Sequence, residues 1–331
     1  MQVSILGPGA VGTLLASLLT LKGHTVSLKG RRAPARPGGA IRVGLPGSWL
    51  LVDGVSQVGP EGMAGSGESA SPTAPDATLV TLGRQHLHVL RRPDFARLTG
   101  PGDSPLLLFN CDPAETARLA VEPERLKLGL TLMTAVKLQD ADVELVEDKP
   151  VILYESSRVL DRLFRDLASF GFRAQPVSDA RPSLNSLLVW QLLFLPVAMC
   201  NTTLGVFLSF PEGRELAAGL IGEGCAAMEK AGMPMAPLPI MDPRELAVSL
   251  QKKPGSFDRD TGRPDRGYNS VLQSFLLRKP TEAPQLNRRI VEIASAAGLH
   301  LTWNWRILQK VSRVASMGFY RTPAELLRSL V

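Results

Sequence analysis

The chain is short of the residue types that hold small or specialised folds together. Only three cysteines, Cys111, Cys200 and Cys225, stand among its 331 residues. An odd number at wide spacing excludes a disulfide framework and a cysteine-rich metal site, and fits a reducing, cytoplasmic setting. Aromatic residues make up 5%, too few for the stacking platform that single-stranded nucleic acid needs. Zinc-finger spacings and long basic runs are also missing, so nucleic acid is not an expected partner. The formal charge is +6, a modest basic excess that favours small anions such as phosphates and carboxylates. The opening "MQVSILGPGAVGTLLASLL" is apolar but lacks the charged n-region of an export signal.

Apolar residues are plentiful, at 44%. They concentrate in "LLVWQLLFLPVAMCNTTLGVF", residues 187–207, about the length needed to cross a bilayer. Gln191, Pro196 and Asn201 interrupt it. No other segment supports a membrane reading. A helix apolar nearly all round belongs in the middle of a helical domain, so a buried core helix and no membrane partner are expected.

The N-terminal end carries the clearest motif. "QVSILG" reads as a short buried strand, and "GPGAVG" follows, placing Gly7, Gly9 and Gly12 in a G-x-G-x-x-G pattern. "TLLASLLTLKG" then has helical period and stops at Gly23, and "HTVSLKGRR" reads as a second strand. Strand, glycine turn, helix and strand in that order form a dinucleotide fingerprint. Gly7 makes the tight turn, Gly9 admits the diphosphate to the backbone, and Gly12 lets helix and strand pack closely. The free N–H groups of the helix start suit the phosphates. The second strand ends on Lys29, Gly30, Arg31 and Arg32. A carboxylate for a ribose 2′-hydroxyl is missing there and a basic cluster stands instead, which favours NADP(H) over NAD(H). A solvated basic turn is the plainer alternative.

Further strands are expected at 77–82, 105–110, 126–135 and 149–156, with an amphipathic helix after them capped by Ser156 or Ser157. "RAQPVSDARPS", residues 173–183, reads as a polar linker, dividing a nucleotide-binding domain at 1–175 from a helical domain at 183–331. Within the latter, helices are expected at "PEGRELAAGLIGEGCAAMEKAG", at "DPRELAVSLQKK", on both sides of residues 279–284, and at "TWNWRILQKVSRVAS". The fold class is therefore α/β, a Rossmann-type domain followed by an all-helical one.

These residues resemble the ketopantoate reductase (2-dehydropantoate 2-reductase) family over nearly the whole chain. "GPGAVG", "GHTVSLKGR", "LVTL" followed by "PLLLFN", and Trp190 in the first helix after the linker carry the likeness. "NSVLQSFLLRKPTEAPQLNRRIVEIASAAGLHLTWNWRILQKV" is its most specific part. The resemblance implies NADPH-dependent reduction of a 2-oxo acid to a 2-hydroxy acid, in the family 2-dehydropantoate to pantoate on the pantothenate pathway. It implies cofactor contacts at Gly7, Gly9, Ala10, Val11, Gly12, Arg31, Leu82 and Asn110. It also implies that Asn110 lies near nicotinamide and substrate, that Ser270 holds the substrate carboxylate, and that Glu282 contacts the substrate hydroxyl. The apolar helical domain leaves room for a homodimer face.

The chain departs from the family pattern on the apolar run. The family lysine falls on Leu192 and two family asparagines on Pro196 and Cys200, while a second lysine position is Gly83, beside Arg84. Leucine has no proton to donate, which leaves Glu282 as candidate acid. Two functions follow: a reductase of a more apolar 2-oxo acid, or a catalytically silent NADP(H)-binding homologue.

Overall fold

The computed structural model describes residues 1–30, 39–58, 74–83, 86, 90, 103–116, 119, 121–139, 141–146, 149–251, 269–276 and 281–331. They separate into two compact units, Met1–Ala180 and Arg181–Val331.

The first unit is built on β1 (Gln2–Leu6), α1 (Ala10–Leu21) and β2 (Thr25–Lys29). A hairpin of β3 (Ile41–Leu45) and β4 (Ser48–Val52) follows, turning at Gly47 with φ 80, and then β5 (Ser56–Val58). Next come β6 (Ala77–Val80), β7 (Leu106–Phe109), a single turn α2 (Pro113–Thr116) and β8 (Leu126–Leu132). The unit closes with β9 (Ala135–Gln139), β10 (Asp142–Leu145), β11 (Val151–Glu155), α3 (Arg158–Leu167) and β12 (Arg173–Val177). The main sheet runs β12-β11-β8-β7-β6-β1-β2-β5. All its neighbours are parallel except β11 and β8. Strand order reverses at β1, between β2 on one side and β6 on the other, which is the topological switch point of a doubly wound sheet. Strands buried on both faces read as continuous apolar runs, and β6 and β7 are buried throughout.

A second sheet of order β4-β3-β10-β9 lies across α1. Residues 126–135 are therefore not one strand: the chain leaves the main sheet after Leu132 and enters the small sheet at Ala135. The expected linker at 173–183 also gives way, because Arg173–Val177 is β12, parallel to β11. Pro176 is compatible with it because the strand ends the sheet, and an edge position tolerates a missing N–H. Ser157, not Ser156, caps α3, accepting from Leu160 N at 3.3 Å.

Among the described residues the second unit contains helices and no strand: α4 (Arg181–Gln191), α5 (Phe194–Met199), α6 (Leu204–Ser209), α7 (Pro211–Lys230) and α8 (Pro243–Gln251) lead into α9 (Ser270–Leu276), α10 (Ala283–Ala296), α11 (Thr302–Met317) and α12 (Pro323–Leu330). The last helix was not expected, although "TPAE" is a capping box with proline at the first helical position. The central helix is α7, packed against α4, α6, α8, α10, α11 and α12. Glycines let it approach its neighbours. A Cβ at Gly219 would sit 2.8 Å from the Trp303 ring, and one at Gly224 would sit 2.8 Å from Leu192 Cδ1.

The apolar run is not one helix either. Arg181–Met199 is long and apolar enough to cross a membrane, but most of it is buried inside the unit. It breaks after Gln191. Pro196 has no N–H to give to the carbonyl of Leu192, and its ring crowds that carbonyl. The chain tightens there instead, with Leu192 N bonding Val189 O at 3.1 Å and Leu193 N bonding Trp190 O at 3.3 Å.

A partly buried polar knot ties α7, α10 and α11. The Glu223 carboxylate accepts from the backbone N–H groups of Thr302, Trp303 and Asn304 at 2.5, 2.8 and 2.9 Å, which caps α11 from outside its own sequence. Asn304 Nδ2 donates to Glu223 Oε2 at 3.0 Å, and its Oδ1 accepts from Asn287 at 3.0 Å. Charged acceptors on helix-start N–H groups are among the stronger hydrogen bonds. Glu223→Ala is expected to lower unfolding stability by roughly 2–3 kcal/mol, and Glu223→Gln, which keeps one acceptor oxygen, by about half as much. Urea unfolding followed by tryptophan fluorescence reads this, since Trp190, Trp303 and Trp305 all lie in the second unit. Superimposable curves for all three proteins would rule the knot out as a source of stability.

Candidate functional site

The glycine loop sits at the switch point. Gly7 leaves β1 with φ 116, a conformation that L side chains rarely adopt. Its N–H donates to Lys29 O at 3.0 Å, tying the loop to the end of β2. Across the switch point, Thr81 follows β6. Its N–H donates to Leu6 O at 2.9 Å and its hydroxyl to Gly7 O at 2.9 Å. A Cβ at Gly12 would overlap Gly7 O, and it would come 2.5 Å from the Thr81 hydroxyl. Glycine at 12 thus lets the first turn of α1 rest directly on the turn after β1. Gly9 differs: among the described residues a Cβ there would meet nothing within 4 Å. Space at Gly9 is open while space at Gly7 and Gly12 is closed, which is the pattern expected of a loop that admits a ligand at its middle glycine.

The first helical bond of α1 runs from Thr13 N to Gly9 O at 2.9 Å. The N–H groups of Ala10, Val11 and Gly12 precede it and have no acceptor within the helix. They and the helix dipole make an anion-binding end. Leu82 and Gly83 follow Thr81 beyond the end of β6 and are half-buried. Two lysines flank the loop. Lys29 is half-buried at the end of β2, and burial holds its amine below the ordinary lysine range. Lys137, on β9 of the small sheet, donates from Nζ to Pro8 O at 3.1 Å. Arg31, with Arg32, Arg84 and His88, lies outside the described residues.

Asn110 ends β7 with φ 53, one of two non-glycine residues with positive φ among the described residues. Asparagine is among the side chains that tolerate this region best. Its amide is held by β8: Oδ1 accepts from Thr131 N at 2.9 Å and Nδ2 donates to Thr131 Oγ1 at 3.0 Å. Cys111 beside it is buried.

Ser270 and Glu282 belong to the second unit. Ser270 is the exposed first residue of α9, and the cap of that helix is Asn269, whose Oδ1 accepts from Leu272 N at 2.9 Å. Glu282 is half-buried at the N-cap position of α10, where its side chain makes no capping bond. Both helices pack against α5, and α10 also touches α4, so the two residues stand on elements that share the apolar run. Asn269 Nδ2 reaches that run at Phe194 O, at 3.3 Å.

Leu192, Pro196 and Cys200 point into the core. Leu192 is fully buried against Gly224, and burial first, then the Glu325 carboxylate, pushes the Cys200 thiol up to about 12. The polar group of this stretch is its neighbour Gln191, whose Oε1 is buried without a partner among the described residues. Sequence reasoning missed Thr81, Thr131 and Lys137. Thr81 stood inside the quoted "LVTL"; Thr131 and Lys137 had no sequence signal, because only strand pairing and sheet packing bring them to the site.

Residues 186–315 match the family model for the C-terminal domain of ketopantoate reductase PanE/ApbA. No curated protein matches the chain in sequence. Solved structures do match in fold. The ternary structure of D-mandelate dehydrogenase with NADH and anilino(oxo)acetate superimposes with TM-score 0.76 at 14% identity, covering 96% of this chain and 99% of that one. A 2-dehydropantoate 2-reductase from Geobacter metallireducens gives 0.75 at 15%, covering 95% and 100%. A dimeric ketopantoate reductase from Staphylococcus aureus gives 0.69 at 18%, covering 96% and 99%. At these identities the likeness establishes the fold, an α/β unit with a parallel sheet followed by a helical one.

The two central glycines separate folding from binding. Gly9 has φ −72 and ψ −176, which alanine adopts freely. Gly9→Ala is expected to melt like the wild type yet lose dinucleotide affinity. Gly12→Ala, forced against Gly7 O, is expected to lose about 1–3 kcal/mol of stability. Thermal melts and fluorescence titration with NADPH and NADH together measure both. A Gly9→Ala protein that binds like the wild type would place the ligand elsewhere.

Proposed function

We propose that this chain, whose second unit belongs to the C-terminal domain family of ketopantoate reductases, is a nicotinamide-dependent oxidoreductase that reduces a 2-oxo acid to a 2-hydroxy acid. One observation carries the reading: a glycine loop at the switch point of a doubly wound sheet, closed at Gly7 and Gly12 and open at Gly9. The residues present fit a dinucleotide. The N–H groups of Ala10, Val11 and Gly12 hold its diphosphate, Leu82 borders it, and Lys29 with Arg31 takes the 2′-phosphate of NADP(H). When bound, the nicotinamide supplies the hydride.

The remaining work falls to this chain's own side chains. Ser270 holds the substrate carboxylate. Glu282 moves the proton of the new hydroxyl. Asn110, fixed by Thr131 in a left-handed conformation, orients the substrate carbonyl. The substrate is more apolar than 2-dehydropantoate, because Leu192, Pro196 and Cys200 bring no polar group. Cytoplasmic residence fits three cysteines that form no disulfide among the described residues. A homodimer fits the description of the Staphylococcus aureus relative as dimeric.

A second reading, a catalytically silent NADP(H)-binding homologue, is favoured by the same buried leucine, proline and cysteine. Turnover separates the two. Oxidation of NADPH and NADH is followed with a panel of 2-oxo acids of rising apolar bulk. The enzyme reading expects turnover with at least one. It also expects Glu282→Gln to lower kcat by about 10²–10⁴, the range of a positioned acid, while dinucleotide affinity holds. Dinucleotide binding with no turnover on any acid leaves the silent homologue.

The lysine at the end of β2 gives a pH signature. Only the ammonium form of Lys29 attracts a phosphate, and burial lowers the pH at which that form is lost. Affinity for NADPH is therefore expected to fall as pH rises through the lowered value, below the range of an exposed lysine. Affinity for NADH should change less, and Lys29→Met should flatten the difference. Parallel curves for the two dinucleotides in the wild type would remove Lys29 from the 2′-phosphate.

A further inference from the structure

We propose that Lys137 is the cationic partner of the dinucleotide diphosphate, supplied to the glycine loop from a different sheet. The proposal rests on the dinucleotide reading of that loop. "GPGAVGT" contains no ionisable side chain, and α1 has no acidic residue in its first turn and no basic one in its last. The motif therefore offers a dianionic diphosphate only N–H groups and the partial charge of one helix end, about half a unit. An ammonium adds a whole charge.

Lys137 comes from β9, and the small sheet lies across α1. Its Nζ donates to Pro8 O at 3.1 Å, and Thr13 Oγ1 reaches the same carbonyl at 3.4 Å. Pro8 stands between Gly7 and Gly9, one residue before the open position. The carbonyl it bonds is thus two residues before the first N–H of α1, a span of roughly 7 Å at most by chain dimensions. That is inside a Debye length at physiological salt, and the side chain is half-buried, which weakens screening further. The bond to Pro8 O also fixes a flexible side chain in position before a ligand arrives.

The loop geometry favours the diphosphate over the 2′-phosphate. The Pro8 ring lies against Gly30 at the end of β2, where a Cβ would come 2.8 Å from Pro8 Cδ. The carbonyl of Pro8 is the group that meets β9 and α1. Lys137 is placed by that carbonyl, on the helix side of the loop, while the end of β2 belongs to Lys29 and the ribose.

The test uses the full chain and its Lys137→Gln, Lys137→Met and Lys137→Arg variants, each titrated with NADPH and with NADH by nicotinamide fluorescence at low and high potassium chloride. Thermal melts of each variant check the fold. Glutamine is the informative change, because it keeps a donor for Pro8 O and loses the charge. Lys137→Gln and Lys137→Met are expected to weaken both dinucleotides by the same factor, about tenfold, as befits one charge-assisted hydrogen bond. Lys137→Arg should stay near the wild type, and the deficit of the neutral variants should shrink at high salt. Wild-type affinity in Lys137→Gln beside weak binding in Lys137→Met reduces the residue to a loop anchor and overturns the proposal. A loss confined to NADPH overturns the diphosphate assignment. Failure of the wild type to bind either dinucleotide sinks the reading of the loop itself, an outcome distinct from failure of the lysine alone.

Discussion

The first turn of α1 lies on the carbonyl of Gly7, and the rest of the candidate site depends on that contact. No residue but glycine at position 12 permits it, since any Cβ would overlap the oxygen. The Gly7 carbonyl in turn accepts the hydroxyl of Thr81 from the neighbouring parallel strand. One atom therefore joins β1, α1 and the end of β6. The helix start is thereby aimed past the carboxyl ends of the strands. Its first N–H groups, which have no acceptor within the helix, thus stand at the end of the sheet where doubly wound folds take their ligands.

The second unit is governed by a constraint of the opposite kind, a group that is missing. Proline at 196 cannot bond to the carbonyl of Leu192, so the apolar run breaks one turn earlier. The break turns Leu192 onto Gly224 and leaves Gln191 as the last residue of α4. A position that carries a lysine in the resembling family thus becomes a packing position, and α7 has a glycine ready to receive the leucine. Leu192 and Gly224 form one packing contact between two helices. A lysine restored at 192 would put its charge into a fully buried core, where an unpaired ammonium is costly. It would not simply rebuild the family's site.

Much of this was legible in the sequence. The glycine motif named the loop, because its physics is local: a turn, a close approach and a helix start within six residues. Helix ends were legible for the same reason, as at Gly23 after α1 and at the Ser156–Ser157 pair before α3. The errors came where local signal and long-range pairing diverge. Residues 126–135 look like one strand because apolar continuity does not show a change of sheet. Residues 173–177 look like a linker because an edge strand tolerates the proline and polar residues that mark a loop. Thr131 and Lys137 left no trace at all. Their neighbours at the site, Asn110 and Pro8, lie 21 and 129 residues away in sequence.

That distance bears on how the site is charged. A motif that spends three of six positions on glycine has little room for ionisable side chains, and this one has none. Its charge must be imported from elements that the fold carries to it. Lys29 arrives from the adjacent strand, held by the Gly7 bond to its own carbonyl, and burial keeps its amine lowered. Lys137 arrives from the small sheet. The two approach different ends of Pro8: the ring side at Gly30 and the carbonyl side at Thr13. The loop then works as a neutral, tightly shaped cradle with separate cations at its two ends. Shape is written in the motif and charge is written outside it. Exchanging the strand residues can therefore alter which phosphates are favoured while the turn and the helix start stay as they are.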